Sequence, residues 1–350
     1  MTAPAAGLPR WAWALGAPEA HGRIRCRPED FRVHEIPLIE PEGSGNHLWL
    51  EIEKRGANTN WVAGQLSRAA GVHPREIGFA GMKDRNGVTR QWFSVGLQEA
   101  GRPDPQDWLI EDVTVLQHHR HTRKLKRGTL RGNRFRLVIR EFGGDRDLLE
   151  ERLRTASDQG VPNYFGEQRF GHGGRNVERA RQWLLNGGRV RRNQKSIFLS
   201  AARSFMFNNV LSERVSQGNW NRLLDGELAQ LDGSHSVFPC ELPDPELEKR
   251  CLDFDIHPTG PLPGKDGKQP AGPALELENE ILGPEKPLIE ALQRAGVDAA
   301  RRALRLIPAG LTWEFPDECL LLEFELPAGA YATSVLRELV SLRPEPISGE

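Results

Sequence analysis

The chain has 350 residues, 38% of them hydrophobic and 27% charged, so it is long enough for about two domains and too mixed in composition for wholesale disorder. It has no run of eighteen apolar residues, so no membrane-spanning helix is expected, and its four cysteines lack CxxC spacing, which favours free thiols in the cytoplasm over a zinc site. The net charge of −1 conceals two basic segments, with nine Lys and Arg and no acid over 113–140, and eight Lys and Arg against one acid over 169–195. These segments predict a surface that binds phosphate groups; the alternative is that their arginines are scattered and only solvated.

The first 160 residues are predicted to be rich in strands. Residues 23–36 read as a short strand, a Pro-Glu-Asp turn and a second strand from Phe31, and 47–53 alternate as a half-buried strand. Asn58 is predicted to cap a helix that runs through Ala70. Further strands are predicted at 77–79, 91–95 and 133–140. One-sided alternation indicates a mixed, largely antiparallel sheet.

From about Val161 the pattern becomes more helical. The predicted elements are a helix at 176–186 ended by two glycines, a helix at 200–217, a Pro/Gly loop at 259–274, a helical pair at 287–306, strands at 311–315 and 318–326, and a closing helix at 331–340. Strands, then helices, then strands again predict one domain inserted into another, so the fold class is α+β. The predicted segments are 1–160, 161–306 and 307–350.

The stretch GMKDRNGVTRQWFSV, residues 81–95, places a carboxylate on a glycine-flanked turn before an apolar strand. Asp84 lies between Lys83 and Arg85, and adjacent cations favour the ionised carboxylate, which suits a nucleophile. Gly81 and Gly87 are expected to bend the chain at positive φ. The alternative interpretation is an ordinary aspartate that caps its own turn.

A second candidate region, KLKRGTLRGNRFRLVIR, combines cations with a strand. Asn133 offers an amide that can read a base edge, and Phe135 can stack on a base or fill the core. The cations before them are predicted to contact RNA phosphates: Lys124, Lys126, Arg127 and Arg131.

Signatures of common cofactor and metal sites are missing from the sequence. There is no Walker lysine loop, no strand-linked GxGxxG, no HExxH and no GxSxG. The sequence therefore predicts an enzyme without nucleotide cofactor or metal. Two other classes of protein remain possible, a noncatalytic RNA binder and a methyltransferase. The methyltransferase is disfavoured because no Gly-rich strand-to-helix loop is present to bind a methyl donor.

Seven motifs in order resemble the TruD family of tRNA pseudouridine synthases, and together they span most of the chain. They are RPEDFRVHE, NTNWVAGQL, GFAGMKDRNGVTRQWFSV, GTLRGNRFRLVIRE, VPNYFGEQRFG, SAARSFMFN and LPAGAYATSVLREL. The resemblance implies a pseudouridine synthase catalytic domain whose mixed sheet is flanked by helices, interrupted by an inserted α/β domain. It also implies a single-chain enzyme that acts on uridine 13 of tRNA without a cofactor or a protein partner.

The resemblance also implies roles for individual residues. Asp84 stands at the position of the catalytic aspartate. The expected nucleotide contacts are Phe31, Asn133 and Tyr331, and the basic positions lining the site are Lys83 and Arg25.

Two residues depart from the pattern of some relatives. Arg25 replaces a lysine, which keeps the charge but changes hydrogen-bond geometry. Tyr331 replaces a phenylalanine, so its hydroxyl can either be inert or move a proton. The sequence does not choose between attack of Asp84 on the ribose C1′ and an elimination.

Overall fold

A computed structural model describes residues 7–97, 105 and 108–343. The strands are β1 His21–Arg23, β2 Phe31–Pro37, β3 His47–Arg55, β4 Ile77–Phe79, β5 Val88–Gly96, β6 Val113–His121, β7 Leu130–Gly143, β8 Val161–Pro162, β9 Glu227–Leu231, β10 Val237–Cys240, β11 Ile256–Leu262, β12 Ala300–Ala303, β13 Arg305–Leu306, β14 Ala309–Glu314, β15 Leu320–Pro327 and β16 Ser341–Leu342. The helices are α1 Thr59–Ala69, α2 Arg146–Gln159, α3 Arg175–Asn186, α4 Arg192–Ser216, α5 Pro245–Leu252, α6 Gly272–Leu282, α7 Lys286–Arg294 and α8 Ala332–Leu339.

The chain divides into two compact units. The sheet unit comprises Glu19–Leu149, Pro308–Gly329 and Val340–Glu350. The helical unit comprises Met1–Pro18, Glu150–Ile307 and Ala330–Leu339. The predicted segments 1–160, 161–306 and 307–350 extend beyond the described residues at both ends, and their assignment to a catalytic and an inserted domain stays a prediction.

The sheet unit is built on one large mixed sheet, in the order β14-β15-β7-β2-β5-β3-β6. Its pairs are antiparallel except β2 with β5 and β1 with β16. Helix α1 covers part of one face, where Val62 and Leu66 pack against Leu50, Ile52 and Phe93. The prediction of an α+β fold with a mixed, largely antiparallel sheet flanked by helices is confirmed.

Strand β3 differs from its predicted half-buried state. Leu48, Leu50 and Ile52 face α1 as expected, but Trp49 on the opposite face is 1% exposed. The indole packs on Trp92 and stacks on His121 at 4.1 Å between ring centroids. Trp92 of β5 and His121 of β6 lie on the same face of the sheet as Trp49, so this face of β3 is covered by cross-strand neighbours that the local pattern does not reveal.

Helix α1 follows the sequence closely. The Asn58 side chain accepts a hydrogen bond from the main-chain N–H of Trp61 at 2.8 Å, as a helix N-cap does. Helix α3 also ends as predicted, with Gly187 in a positive-φ conformation just beyond it.

The predicted loop and helical pair between residues 259 and 306 are wrong in part. The loop's first residues belong to β11 and its last to α6, and residues 300–306 form β12 and β13 rather than a helix. Strand β11 pairs with β9 over its first residues and with β12 over its last, so each of its prolines, which have no N–H to donate, lies opposite a single partner strand. Pairing of β12 with β11 and of β13 with β8 overrides the helical propensity of the arginine-rich segment 300–306.

The helical unit is centred on α4, which is longer than predicted. Ala201, Phe207 and Leu211 of this helix belong to one core cluster. Met206 and Val210 belong to a second cluster, shared with α3, α6 and α7. An apolar surface on two sides of a 25-residue helix is expected when other elements surround it. No helix among the described residues is long and apolar enough to cross a membrane.

Candidate active site

Asp84 lies on the turn between β4 and β5, and its side chain is 38% exposed. The guanidinium of Arg25 donates to its Oδ2 at 3.3 Å. The cation that pairs with Asp84 is therefore Arg25, not either sequence neighbour. The side chain of Arg85 instead donates to the Gly56 carbonyl at 3.1 Å.

Arg25 adopts a backbone conformation that is rare for its residue type. Its φ is +63°, in the left-handed region that favours glycine. Its guanidinium lies 4.1 Å from the centroid of the Phe31 ring, which combines a cation–π contact with the ion pair to Asp84. Strained backbone in a non-glycine residue often accompanies a functional site, and here it aims the cation at the carboxylate.

The turn that follows Arg25 is tied to the sheet by a buried carboxylate. Asp30 accepts a hydrogen bond from the main-chain N–H of Arg27 at 2.9 Å, and from the guanidinium of Arg140 on β7 at 2.9 Å. Hydrogen bonding to Asp30 raises the pKa of the Arg140 guanidinium above its ordinary value. This anchor fixes the point at which β2 begins and so places Phe31.

Lys83 points into the protein, away from the Asp84 carboxylate that it adjoins in sequence. Its side chain is 5% exposed, and its Nζ lies 2.7 Å from Glu35 Oε2. The same ammonium donates to Asn133 Oδ1 at 2.7 Å, and the main-chain N–H of Lys83 donates to Thr59 Oγ1 at 3.0 Å. Lys83 thereby joins β2, β7 and α1 behind the turn and orients the Asn133 amide.

The two glycines flanking Asp84 do not adopt positive φ, so that expectation is wrong. A Cβ on Gly87 would lie 2.5 Å from the Phe31 carbonyl oxygen, so glycine is required there by close approach. A Cβ on Gly81 would meet nothing nearer than the Lys83 ammonium at 3.8 Å. Only Gly87 is demanded by the packing.

Lys54 is a buried cation that the sequence reasoning missed. It is fully buried on β3, and its Nζ donates to the main-chain carbonyls of Ala57 at 2.6 Å and Asp84 at 2.9 Å. Burial is the main cause that lowers the pKa of this ammonium, to about 8, while the charge of Asp84 opposes the shift. A signal existed, because Lys54 continues the inward face of Leu48, Leu50 and Ile52 at period two.

The two aromatic residues predicted to contact the nucleotide in this unit are largely buried. Phe31 is 3% and Phe135 is 6% exposed. Phe135 stacks on Phe324 at 5.5 Å between centroids and meets Phe31 edge-on at 6.3 Å. This arrangement favours core filling for Phe135, the alternative that the sequence left open.

The four predicted phosphate contacts have different surroundings. Lys126 and Arg131 are exposed, whereas the Lys124 ammonium donates to the main-chain carbonyl of Arg75. The Arg127 guanidinium lies 4.0 Å over the Phe79 ring. Lys126 and Arg131 are therefore the better candidates for contact with an external phosphate.

Tyr331 belongs to the helical unit, whereas Asp84 and the residues around it belong to the sheet unit. Its hydroxyl accepts a hydrogen bond from Arg169, whose other terminal nitrogen donates to Ser200 Oγ at 2.7 Å. Its ring lies 6.2 Å from that of Phe165. Phe165 and Arg169 both come from the VPNYFGEQRFG motif, so this motif builds the surroundings of Tyr331.

A second arginine of the helical unit extends this cluster. Arg302 lies 4.2 Å over the Phe165 ring and donates to Asn163 Oδ1 at 2.5 Å. Burial lowers the pKa of its guanidinium to about 10, and the proximity of Arg169 adds to that effect. Sequence reasoning missed both arginines as neighbours of Tyr331.

At Asp84 the sheet unit thus presents an accessible carboxylate that is paired with a guanidinium and backed by two buried ammonium groups. Such an anion can attack an electrophilic carbon or assist the departure of a leaving group. Within residues 7–97, 105 and 108–343, no three or more His, Cys, Asp and Glu side chains are grouped so as to hold a metal ion.

The chain matches a family model described as tRNA pseudouridine synthase D (TruD) over residues 11–189 and 176–339. A tRNA pseudouridine synthase D of Methylococcus capsulatus is 47% identical over 94% of this chain and 95% of its own. One of Nitrosococcus oceani is 47% identical over 97% and 96%. The crystal structure of the putative tRNA pseudouridine synthase D from Methanosarcina mazei shares the fold with a TM-score of 0.73, at 23% identity over 95% of this chain and 96% of that one. The chain therefore belongs to the TruD family of tRNA pseudouridine synthases, which are isomerases.

Proposed function

We propose that this protein converts uridine 13 of tRNA to pseudouridine, with Asp84 as the catalytic residue. The observation that carries the proposal is the Asp84 carboxylate itself, which is exposed to solvent and ion-paired with Arg25 at 3.3 Å in a chain of this family. The relatives at 47% identity are named for tRNA pseudouridine synthesis, which supports tRNA as the substrate.

The proposed reaction is an isomerisation in which every non-hydrogen atom of the product comes from the substrate. The bond between uracil N1 and ribose C1′ breaks, the base turns, and a bond from C5 to C1′ forms. The proton on C5 leaves and N1 gains one, so no oxidant, reductant or cofactor enters the balance. Asp84 either attacks C1′ or assists the elimination there.

The substrate uridine must leave the tRNA fold to be reached, at a free-energy cost of a few kcal/mol. Phosphate contacts from exposed cations such as Lys126 and Arg131 contribute binding free energy without reading sequence. Stacking on Tyr331 is proposed to hold the base, and such stacking is worth about 1–3 kcal/mol. That the protein acts as a cytoplasmic monomer stays a prediction from the sequence.

The test is to incubate the protein with unmodified tRNA transcripts and to map pseudouridine by position. The proposal expects pseudouridine at position 13 and none in a transcript that carries cytidine there. Binding of both transcripts without any product would support a noncatalytic RNA binder instead. Product at a different uridine would keep the family chemistry and overturn the assignment of position 13.

A further inference from the structure

Lys54 is a buried lysine whose ammonium group donates hydrogen bonds to main-chain carbonyl oxygens. It is fully buried, and no carboxylate of the described residues lies within ion-pair distance of its ammonium. Its Nζ meets two main-chain carbonyl oxygens instead, those of Ala57 and Asp84. Burying an ammonium is expensive unless its hydrogen bonds are made, so this cation is retained against a solvation penalty.

The two carbonyls belong to segments that meet at the candidate site. Ala57 lies two residues before α1, whose first residue, Thr59, accepts a hydrogen bond from the main-chain N–H of Lys83. Asp84 is the proposed catalytic residue. One ammonium on strand β3, which pairs with β5 and β6, therefore holds the backbone of the turn that carries Asp84 to the start of α1.

We propose that Lys54 is a positioning residue for the reaction: its ammonium fixes the main chain of Asp84 and supplies positive charge behind the carboxylate. It touches no reacting atom, because it lies within the protein with its donors on main-chain oxygens. Loss of the ammonium would leave the Asp84 carbonyl without this donor and free the turn to shift. A displacement of about 1 Å in a catalytic group can lower a rate by about 100-fold.

The proposal predicts a particular pH dependence. The charged groups that act on the ammonium are Asp84 and Lys83, both from the same turn. The residues paired with Lys54 on the neighbouring strands are Thr89 of β5 and Val113 of β6, and both are uncharged. Since burial holds the pKa of Lys54 near 8, its positive charge and one donor are lost as the pH rises through that value.

Above pH 8, where the reaction rate is expected to fall, the contribution of Lys54 to the free energy of unfolding is expected to rise. Between about pH 8 and the ordinary value of 10.5, the unfolded chain keeps the Lys54 proton that the folded protein has released. The unfolded state then binds more protons, so the contribution of this group to stability rises with pH. A loss of activity above pH 8 is therefore not explained by unfolding through Lys54.

The experiment compares wild type, Lys54→Met and Lys286→Met, an exposed lysine of α7 that serves as the control for loss of a lysine. Single-turnover rate constants at saturating tRNA are measured from pH 6.5 to 9.5, with tRNA affinity and circular dichroism alongside. Wild type and Lys286→Met should lose rate as the pH rises through about 8. The rate constant of Lys54→Met should be lower by about 10- to 100-fold at pH 7 and should not fall further as the pH rises through about 8. Its affinity for tRNA should stay within about threefold of wild type.

A rate for Lys54→Met within twofold of wild type, or a profile that still falls as the wild-type one does, would overturn the proposal. Should Lys54→Met not fold, the wild-type profile decides: a flat rate up to pH 9.5 in folded, tRNA-bound protein also overturns it. The inference rests on the proposed function for its readout, yet the two fail differently. Inactive wild type refutes the function, whereas active wild type with unaffected Lys54→Met refutes only the role of Lys54.

Discussion

At the scale of single residues, the candidate site separates an exposed anion from the cations that support it. Asp84 is accessible, Arg25 contacts it from one side, and Lys54 and Lys83 are buried behind it. The sequence placed Asp84 on its turn correctly but assigned its electrostatic partner to adjacent residues. The family resemblance named Arg25 as a basic residue of the site, but its pairing with Asp84 depends on how β1, β2 and the turn come together, which no local pattern reveals.

Asp84→Asn is expected to abolish pseudouridine formation while tRNA affinity stays within about threefold of wild type. The amide keeps the size of the side chain and can still accept from Arg25, but it has neither charge nor nucleophilic oxygen. Turnover, affinity and melting temperature are measured together. Asp253→Asn, which removes an exposed acid paired with Lys249, serves as the matched control.

If Asp84 only capped its turn, the pattern would reverse. Activity would persist, and the variant would lose about 0.5–2 kcal/mol of stability, as other lost caps do. Turnover of Asp84→Asn near the wild-type rate would end the case for a catalytic carboxylate.

Tyr331→Phe is expected to retain the rate constant at saturating tRNA within about threefold. The hydroxyl of Tyr331 accepts a hydrogen bond from Arg169, and a guanidinium cannot take up the hydroxyl proton, so this contact provides no partner for a proton relay. The change removes one hydrogen bond and should lower stability by about 1 kcal/mol. Tyr331→Ala should lose much of the activity with the ring.

The contrary result would be a loss of about 100-fold or more in Tyr331→Phe with tRNA affinity intact. That is the scale of general acid–base help, and it would assign a proton transfer to the hydroxyl. Arg169→Met provides the control, since it disturbs the same hydrogen bond while leaving the phenol in place.

At the scale of elements, the strands and caps near the site follow from local sequence, whereas the pairings of the helical unit do not. The Asn58 cap, the turn before Phe31 and the alternation of β7 each obey a rule that acts within a few residues. Strands β11 and β12 exist because they pair with each other across about forty residues. Propensity alone assigns the first to a loop, for its prolines, and the second to a helix.

Gly87→Ala is expected to destabilise the protein by about 1–3 kcal/mol, the usual range for overpacking. The new Cβ would lie 2.5 Å from the main-chain oxygen of Phe31, which no side-chain rotation relieves. Strand β5 would have to move away from β2, where Arg32 pairs with Val88 in parallel register. Thermal unfolding measures the effect.

Gly81→Ala is the matched control on the other side of Asp84. Its nearest new contact is the Lys83 ammonium at 3.8 Å, and its φ is not positive, so its stability should stay within about 0.5 kcal/mol of wild type. Equal effects of the two substitutions would contradict the assignment of close approach to Gly87 alone.

At the scale of the whole molecule, basic and acidic residues are divided between segments of the chain. The basic segment 113–140 lies in the sheet unit, and 169–195 lies in the helical unit, while 225–299 contains sixteen acids and six bases. This division can be read from the sequence, but the sequence does not show which of the cations are free to bind phosphate. Arg134 and Arg136 of the first segment pair with Glu325 and Glu323, and such pairing is invisible before the strands are aligned.

Binding of tRNA is expected to weaken steeply as the salt concentration rises. Each phosphate contact contributes nearly one unit to the slope of log affinity against log salt, because it releases a condensed counterion. Lys126→Ala with Arg131→Ala should therefore flatten the slope by about one to two units, and Arg191→Ala with Arg192→Ala should do the same if both basic segments hold one RNA. Lys286→Ala with Arg294→Ala removes two exposed cations from the acidic segment and should leave the slope unchanged. An equal change in all three double variants would indicate a general charge effect, whereas an unchanged slope in the first would place the RNA away from β7.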